Sequence, residues 1–116
     1  MELTVDSAGD VAVVMLPVEE LAAGNSRDFK RDITASLDVH PKMVLDLSRL
    51  QYVDSSGLGV FIWCLRRANA NGGDLKFCGA TDRVRATFEL VRLNRVFDLY
   101  PTRDEAIRAF QAPELT

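Results

Sequence analysis

The sequence predicts a single α/β domain whose mixed, mostly parallel sheet has about five strands and is accompanied by about four helices. Its 116 residues suffice for one domain with its own core, and no linker or internal repeat interrupts them. Apolar, β-branched runs alternate with runs of helical periodicity after an initial pair of strands. The predicted order is therefore ββαβαβαβα, with an antiparallel hairpin at the start and right-handed crossovers between the parallel strands.

Composition and charge narrow the class of protein. The chain is 47% hydrophobic and 27% charged, as in an ordinary globular domain. Its formal net charge of −3 and pI of about 5.1 argue against nucleic acid or an anionic membrane surface as the main partner. No apolar run reaches the roughly 18–20 residues of a membrane span, and the N-terminus lacks the basic start and apolar middle of a signal peptide. We therefore expect a cytoplasmic protein with no direct membrane insertion.

Cysteine and histidine are too few to suggest a metal site. Cys64 and Cys78 are the two cysteines, both among apolar neighbours, and His40 is the single histidine. This set matches no zinc framework. We expect two reduced thiols, in the core or near the surface, and neither a metal nor another cofactor.

Local patterns define the elements of the N-terminal half. Residues 3–5 and 11–16 are predicted to pair as a hairpin through a polar turn. A helix is predicted to begin near Asn25 or Ser26, either of which can cap it. Residues 43–47 form the next strand and are apolar enough to be buried. One face of the first helix carries apolar residues spaced four apart, namely Phe29, Ile33 and Leu37.

The C-terminal half repeats the alternation of strand and helix. Residues 75–78 form a strand, and Thr81 is placed to cap the helix that follows. Residues 96–99 are predicted to form a short strand. Thr102 and Glu105 then have the spacing of a capping box, which predicts the start of a final helix.

A strand-to-helix turn, Asp54-Ser55-Ser56-Gly57, lies between the strand at residues 43–47 and an apolar helical run. Its residues are typical of helix N-caps. A hydroxyl at this position lies near free backbone N–H groups and the positive end of the helix dipole, where a phosphate is well accommodated. The turn is therefore either a simple helix cap or a site of serine phosphorylation.

The central helix that follows this turn has two faces. At about 100° per residue, Val60, Trp63 and Arg67 fall on the side opposite the sheet. Trp63 is either a lid over a secondary core or an exposed interface anchor. If exposed, it shares one docking surface with Ser55 on the same helix. The side predicted to pack on the sheet carries Leu58, Phe61, Ile62, Leu65 and Ala68.

Three motifs together resemble the STAS domain family, in particular the bacterial anti-sigma factor antagonists. The similarity continues through residues 93–97 and the helix that begins at Thr102, so it covers most of the chain. It implies one STAS domain over residues 1–116, with a core at 3–112 and a frayed tail at 113–116. The motifs are Asp46-Leu47-Ser48-Arg49-Leu50, Asp54-Ser55-Ser56-Gly57-Leu58-Gly59 and Gly72-Gly73.

The resemblance implies regulation of transcription by partner switching, without enzymatic activity. In that scheme the unphosphorylated chain binds a serine-kinase anti-sigma factor, and phosphorylation releases it. A phosphatase of the PP2C type then restores binding. The acceptor that the resemblance implies is Ser55, and less so Ser56. The residues expected to bind the partner are Glu20, Asn25, Asp54, Ser55, Ser56, Gly57, Val60, Trp63 and Arg67.

One departure from the family pattern leaves other outputs open. Where family members carry a Gly-Glu-Leu-Asp-like stretch near the phosphorylation site, this chain has Glu19-Glu20-Leu21-Ala22. The alternatives are a docking module for an output other than a sigma factor and a nucleotide- or lipid-binding subunit associated with a transporter. Catalysis is disfavoured, because the turn has neither a histidine nearby nor a Gly-x-Ser-x-Gly pattern.

Overall fold

The structure is a computed structural model that describes residues 1–111. Strands and helices alternate through these residues, with a short 3₁₀ turn at Leu93–Arg95. The strands are β1 Val5–Ala8, β2 Val11–Met15, β3 Glu20–Leu21, β4 Lys42–Asp46, β5 Tyr52–Val53, β6 Asp74–Cys78 and β7 Asp98–Tyr100. The helices are α1 Ser26–Val39, α2 Ser55–Ala70, α3 Asp82–Leu90 and α4 Arg103–Gln111.

The main sheet has five strands in the order β1-β2-β4-β6-β7. Strands β1 and β2 form an antiparallel hairpin, whereas β2, β4, β6 and β7 run parallel to one another. The parallel strands need the intervening helices as crossovers. This architecture confirms the predicted α/β fold, with its mixed sheet, its N-terminal hairpin and its four helices among the described residues.

A second, two-stranded sheet was not predicted. Strand β3 pairs with β5 in parallel, with Glu20 opposite Tyr52 and Leu21 opposite Val53. The pairing continues into the next residue, where the backbone N–H of Asp54 donates to the carbonyl of Leu21 at 3.2 Å. The small sheet therefore holds the segment before α1 against the start of α2.

The two faces of the main sheet are covered unequally. Helices α1, α2 and α3 cover one face, where Phe29, Phe61, Phe77 and Phe88 pack edge to face with ring centroids 5.3–6.3 Å apart. Helix α4 alone covers the other face through Ala106. Because both faces are buried, the central strands are apolar at nearly every position rather than at alternate ones.

An ion pair between half-buried Arg103 and buried Asp46 joins α4 to β4. The carboxylate of Asp46 accepts hydrogen bonds from Arg103 Nε at 2.6 Å and from the backbone N–H of Ser48 at 2.9 Å. Burial works against ionisation of Asp46, but the bonds from Arg103 and Ser48 outweigh it and hold the pKa of this carboxyl below its ordinary value. The pair therefore fixes the start of α4 at the carboxyl end of β4.

Two predicted boundaries are wrong. The first strand lies at Val5–Ala8 rather than at residues 3–5, because pairing with β2 extends up to a tight turn at Gly9 (φ +64°). The last strand begins at Asp98, because Leu93–Arg95 forms a 3₁₀ turn ahead of it.

The predicted tail at 113–116 lies outside the described residues. No helix within residues 1–111 is long and apolar enough to cross a bilayer.

Candidate functional site: a serine at the start of α2

The carboxylate of Asp54 caps helix α2, as predicted. Its Oδ1 accepts a hydrogen bond from the hydroxyl of Ser56 at 2.6 Å and another from the backbone N–H of Gly57 at 3.1 Å. The bond from Ser56, followed by that from Gly57, lowers the pKa of the Asp54 carboxyl. Asp54 is thus ionised at neutral pH and fixed in position at the helix N-terminus.

The two serines of the turn have different environments. Ser55 is the first residue of α2 and is exposed, whereas Ser56 is half-buried and its hydroxyl is committed to Asp54. Within residues 1–111, the Ser55 hydroxyl has no hydrogen-bond partner. The Ser55 hydroxyl can therefore enter another protein's active site without breaking a bond of the fold.

Gly57 allows the start of α2 to lie directly against the small sheet. A Cβ at this position would be 2.6 Å from Cγ2 of Val53 and 2.7 Å from the carbonyl oxygen of Leu21. Both distances are shorter than non-bonded atoms tolerate, and the second involves backbone that cannot turn aside. By contrast, a Cβ at Gly59 would meet no atom within 4 Å. Gly57 therefore sets the position of the serine turn by close packing.

The segment between β3 and α1 contacts the same turn. The backbone N–H of Ala23 donates to Oδ2 of Asp54 at 3.2 Å. The side chain of Asn25 bonds back to the preceding backbone. It donates to the carbonyl of Glu20 at 2.8 Å and accepts from the N–H of Ala22 at 2.9 Å. Asn25 thus precedes α1 without capping it, contrary to the prediction, because its amide closes the loop instead.

A shallow cavity lies in this loop. Its volume is about 250 Å³, and its walls are Glu20, Ala22, Gly24 and Asn25. The loop and the serine turn are adjacent, since both contact Asp54. The structure therefore brings Glu20 and Asn25 to the same end of the domain as Ser55.

Trp63 lies at the seam between α1 and α2. Its indole N–H donates to Thr34 Oγ1 at 3.0 Å, and the ammonium of Lys30 is 4.2 Å from the ring centroid. The side chain remains 36% exposed. Trp63 therefore packs on α1 and still presents part of its ring to solvent.

Arg67 continues this seam one turn further along α2. It forms a two-pronged ion pair with Asp38 of α1, at 2.8 and 2.9 Å. The hydrogen bonds from Arg67 and from Asn71 lower the pKa of Asp38 to about 2. The guanidinium of Arg67 is thus engaged within the fold.

The expectation that Val60 lies on an open face is wrong. Val60 is only 7% exposed and belongs to the main core. Periodicity identified a second apolar face on α2 but could not show that α1 covers it. Ile62 and Leu65 pack against the main core as half-buried side chains.

Two further residues of α2 lie on the same side of the helix as Ser55 but were not among those expected to bind the partner. Gly59 and Arg66 are exposed and follow Ser55 at helical spacing, four and eleven residues further on. The spacing from Ser55 along the helix is the signal that would have added them. The surface that continues from Ser55 therefore has no side chain at Gly59 and a positive charge at Arg66.

Comparisons with known proteins identify the family to which the chain is similar. The family model described as "STAS domain" matches residues 2–106. The chain is 28% identical over 112 residues to the "Putative anti-sigma factor antagonist BtrV" of Bordetella bronchiseptica, covering 96% of each chain. An anti-sigma factor antagonist from Mycobacterium paratuberculosis has a similar structure, with a TM-score of 0.82, 25% identity, and coverage of 95% of this chain and 93% of the other.

A more distant likeness concerns the fold alone. The anti-sigma factor antagonist SpoIIAA, solved in its unphosphorylated form, superposes with a TM-score of 0.69 at 18% identity, covering 97% of this chain and all of the other. The phosphorylated form of SpoIIAA, from Bacillus, superposes with a TM-score of 0.64 at 19% identity, covering 93% and 98%. With a family model that matches nearly the whole chain and the same architecture in these structures, the chain belongs to the STAS domain family.

Proposed function

We propose that the chain is an anti-sigma factor antagonist that acts by partner switching. Its unphosphorylated form binds a serine-kinase anti-sigma factor, phosphorylation of Ser55 releases that partner, and a PP2C-type phosphatase restores binding. The observation that carries the proposal is the exposed, unengaged hydroxyl of Ser55 at the N-terminus of α2. The names of the relatives reported above support the same class of partner.

The proposed docking surface surrounds Ser55. Its members share one end of the domain and the adjoining outer face of α2. Val60 and Gly57, both expected from the sequence to bind the partner, are left out because they are buried. The exposed part of the Trp63 ring offers the partner an aromatic anchor of the kind enriched in interfaces. The docking surface consists of Glu20, Asn25, Asp54, Ser55, Ser56, Gly59, Trp63, Arg66 and Arg67.

A phosphate on Ser55 would alter docking more than folding. It adds roughly −1.5 to −2 charges at neutral pH. Within the fold, Ser55 is the first residue of α2, where the helix dipole favours a negative charge. In a closed interface the same charge would be desolvated beside the ionised carboxylate of Asp54, which is unfavourable. The modification therefore works as a reversible block on binding.

Phosphosite mapping by mass spectrometry tests the proposal. The protein is isolated from its native cell, beside Ser55→Ala and Ser56→Ala forms. We expect a phosphate on Ser55 that disappears in the Ser55→Ala form and persists in the Ser56→Ala form. A chain that carries no phosphate on Ser55 under any condition would contradict partner switching.

A binding measurement tests the consequence of phosphorylation. The full chain and its Ser55→Asp form are titrated against the kinase that phosphorylates the chain in the mapping experiment. The Ser55→Asp form is expected to keep the wild-type melting temperature and to bind the kinase at least ~10-fold more weakly, through repulsion at Asp54. A folded Ser55→Asp chain that binds as tightly as the wild type would count against the switch.

The loop beside Asp54 supports a second candidate output. Ala22 stands where family members carry an acidic residue, and its neighbour Ala23 contacts Asp54 directly. A docking module for another regulatory protein, or a nucleotide- or lipid-binding subunit, would use the shallow cavity at Glu20 and Asn25. A thermal-shift screen with purified nucleotides tests the nucleotide-binding alternative. An increase in melting temperature that Glu20→Gln abolishes would favour ligand binding over partner switching.

A further inference from the structure

An exposed aliphatic turn lies between α3 and β7. The exposed fractions are 84% for Leu90, 50% for Val91 and 54% for Val96. Leu93 and Phe97 pack on the core and anchor the turn at its centre and end, and the N–H groups of Val96 and Phe97 bond to the carbonyl of Leu93 at 3.0 and 2.9 Å. This segment, residues 90–96, is called the α3 tip. Its three exposed aliphatic side chains are held outward by a fixed backbone.

Two arginines accompany these apolar side chains. Arg92 and Arg95 are exposed, and within residues 1–111 neither forms an ion pair with a carboxylate. No acidic residue occurs between Leu90 and Val96, although Glu89 directly precedes the tip. The chain as a whole is acidic, but it extends over 41 Å and charges are screened beyond about 8 Å at physiological salt. Glu89 and Asp98 flank the tip, so its positive charge is confined to the two exposed guanidinium groups of Arg92 and Arg95.

The backbone at Arg92 has an unusual conformation. Its φ of 61° makes it the one non-glycine residue with positive φ within residues 1–111. It follows the C-terminus of α3, where a left-handed residue is usually glycine because glycine bears no steric penalty there. The fold thus keeps a long cationic side chain at a position where glycine would relieve strain.

We propose that the α3 tip binds the surface of an anionic lipid bilayer. Leu90, Val91 and Val96 enter the region between headgroups and acyl chains, while Arg92 and Arg95 contact the lipid phosphates. A symmetric dimer through this surface is disfavoured, because a two-fold axis at the tip would bring the arginines of both copies together.

Vesicle sedimentation with the full chain tests the proposal. The vesicles consist of phosphatidylcholine alone or of phosphatidylcholine with about a third phosphatidylglycerol, each in low and high salt. We expect weak binding to the anionic vesicles only, and its loss in high salt. Leu90→Ser should weaken binding about tenfold or more, since it removes the most exposed aliphatic group. Binding that is equal for both lipids, or absent from both, would overturn the proposal.

Arg92→Gly separates a binding role from a structural one. It relieves the backbone strain, so the melting temperature should stay the same or rise. Binding to anionic vesicles should nevertheless fall several-fold, because one phosphate contact is lost. A matched control is Val39→Ser, which removes an exposed aliphatic side chain from the end of α1 and should leave binding unchanged. If Val39→Ser weakens binding as much as Leu90→Ser, the tip has no special role.

A spectroscopic label locates the contact. Val96→Cys allows selective labelling with an environment-sensitive dye, because Cys64 and Cys78 are buried and burial raises the pKa of each thiol to about 12. The emission should shift to the blue on addition of anionic vesicles. A shift that depends on protein concentration without vesicles, together with dimers in sedimentation velocity, would instead assign the tip to self-association and overturn the lipid proposal.

Discussion

The hydroxyl of Ser56 donates a hydrogen bond of 2.6 Å to Oδ1 of Asp54, the residue that caps helix α2. This single contact distinguishes two serines that are adjacent in sequence. Ser56 takes part in the cap, whereas Ser55 projects from the first helical position with its hydroxyl exposed. An enzyme that modifies Ser55 therefore leaves the cap intact, whereas modification of Ser56 would remove a donor from Asp54.

The first prediction concerns the ionisation of Asp54. Because the Ser56 hydroxyl is the main cause of its lowered pKa, Ser56→Ala should raise the pKa of Asp54 toward its ordinary value. A carboxylate NMR titration of both proteins measures the change. Ser55→Ala is the matched control and should leave the Asp54 titration in place. An equal shift in the two variants would contradict the assigned role of Ser56.

A second prediction compares two glycines of α2. Gly57→Ala should lower the free energy of unfolding by roughly 1–3 kcal/mol, because its Cβ overlaps the Leu21 carbonyl and Val53. Gly59→Ala should instead raise it by about 0.5–1 kcal/mol, since its Cβ has open space and alanine favours the helix. Urea denaturation measures both values. Equal effects of the two substitutions would show that the close approach at Gly57 is not what fixes the start of α2.

The third prediction concerns acid stability through Asp46. Its pKa is lowered in the folded chain, so its contribution to stability is present above the unfolded pKa of about 3.9 and is lost as pH falls through the lower folded value. Arg103→Gln should cost about 1–3 kcal/mol near neutral pH, less than for a fully buried pair because Arg103 is partly exposed. The difference from the wild type should shrink as the pH falls below 4, as measured by urea denaturation at several pH values. A difference that stays constant down to acid pH would remove the pair as its cause.

A fourth prediction uses the lone tryptophan as a reporter of the seam between α1 and α2. Arg67 and Asn71 depress the pKa of Asp38 to about 2, so the ion pair with Arg67 should persist well below pH 4. Trp63 packs on the same seam, and its emission should therefore change only as the pH approaches 2. In Asp38→Asn this acid transition should be missing from the fluorescence titration. A transition centred near pH 4 in the wild type would show that the ion pair does not form in solution.

Local chemistry made much of the fold predictable. Thr81 was expected to cap α3, and the turn that begins at Asp54 was expected to consist of N-capping residues. Both Asp54 and Thr81 accept a hydrogen bond from the backbone N–H three residues further on. The hydroxyl of Thr102 likewise accepts from the N–H of Glu105. The alternation of apolar runs was sufficient for the order of the main strands and helices, since the central parallel strands β2, β4 and β6 are buried on both faces.

What escaped prediction depends on distant contacts. Strands β3 and β5 have two residues each, too few to show a period, and they exist because chain segments about thirty residues apart meet. Val60 was misplaced because its own helix cannot reveal that α1 covers it. The role of Asn25 was misread for a similar reason, since its amide bonds to the preceding loop rather than to the following helix.

The close approach of Gly57 to the Leu21 carbonyl limits how this surface can diversify. With no room for a side chain there, β3 cannot approach α2 more closely, and a larger residue at position 57 would displace the serine turn. A change in what this surface binds would therefore come from exchanging outward side chains, such as that of Glu20, on an unchanged backbone.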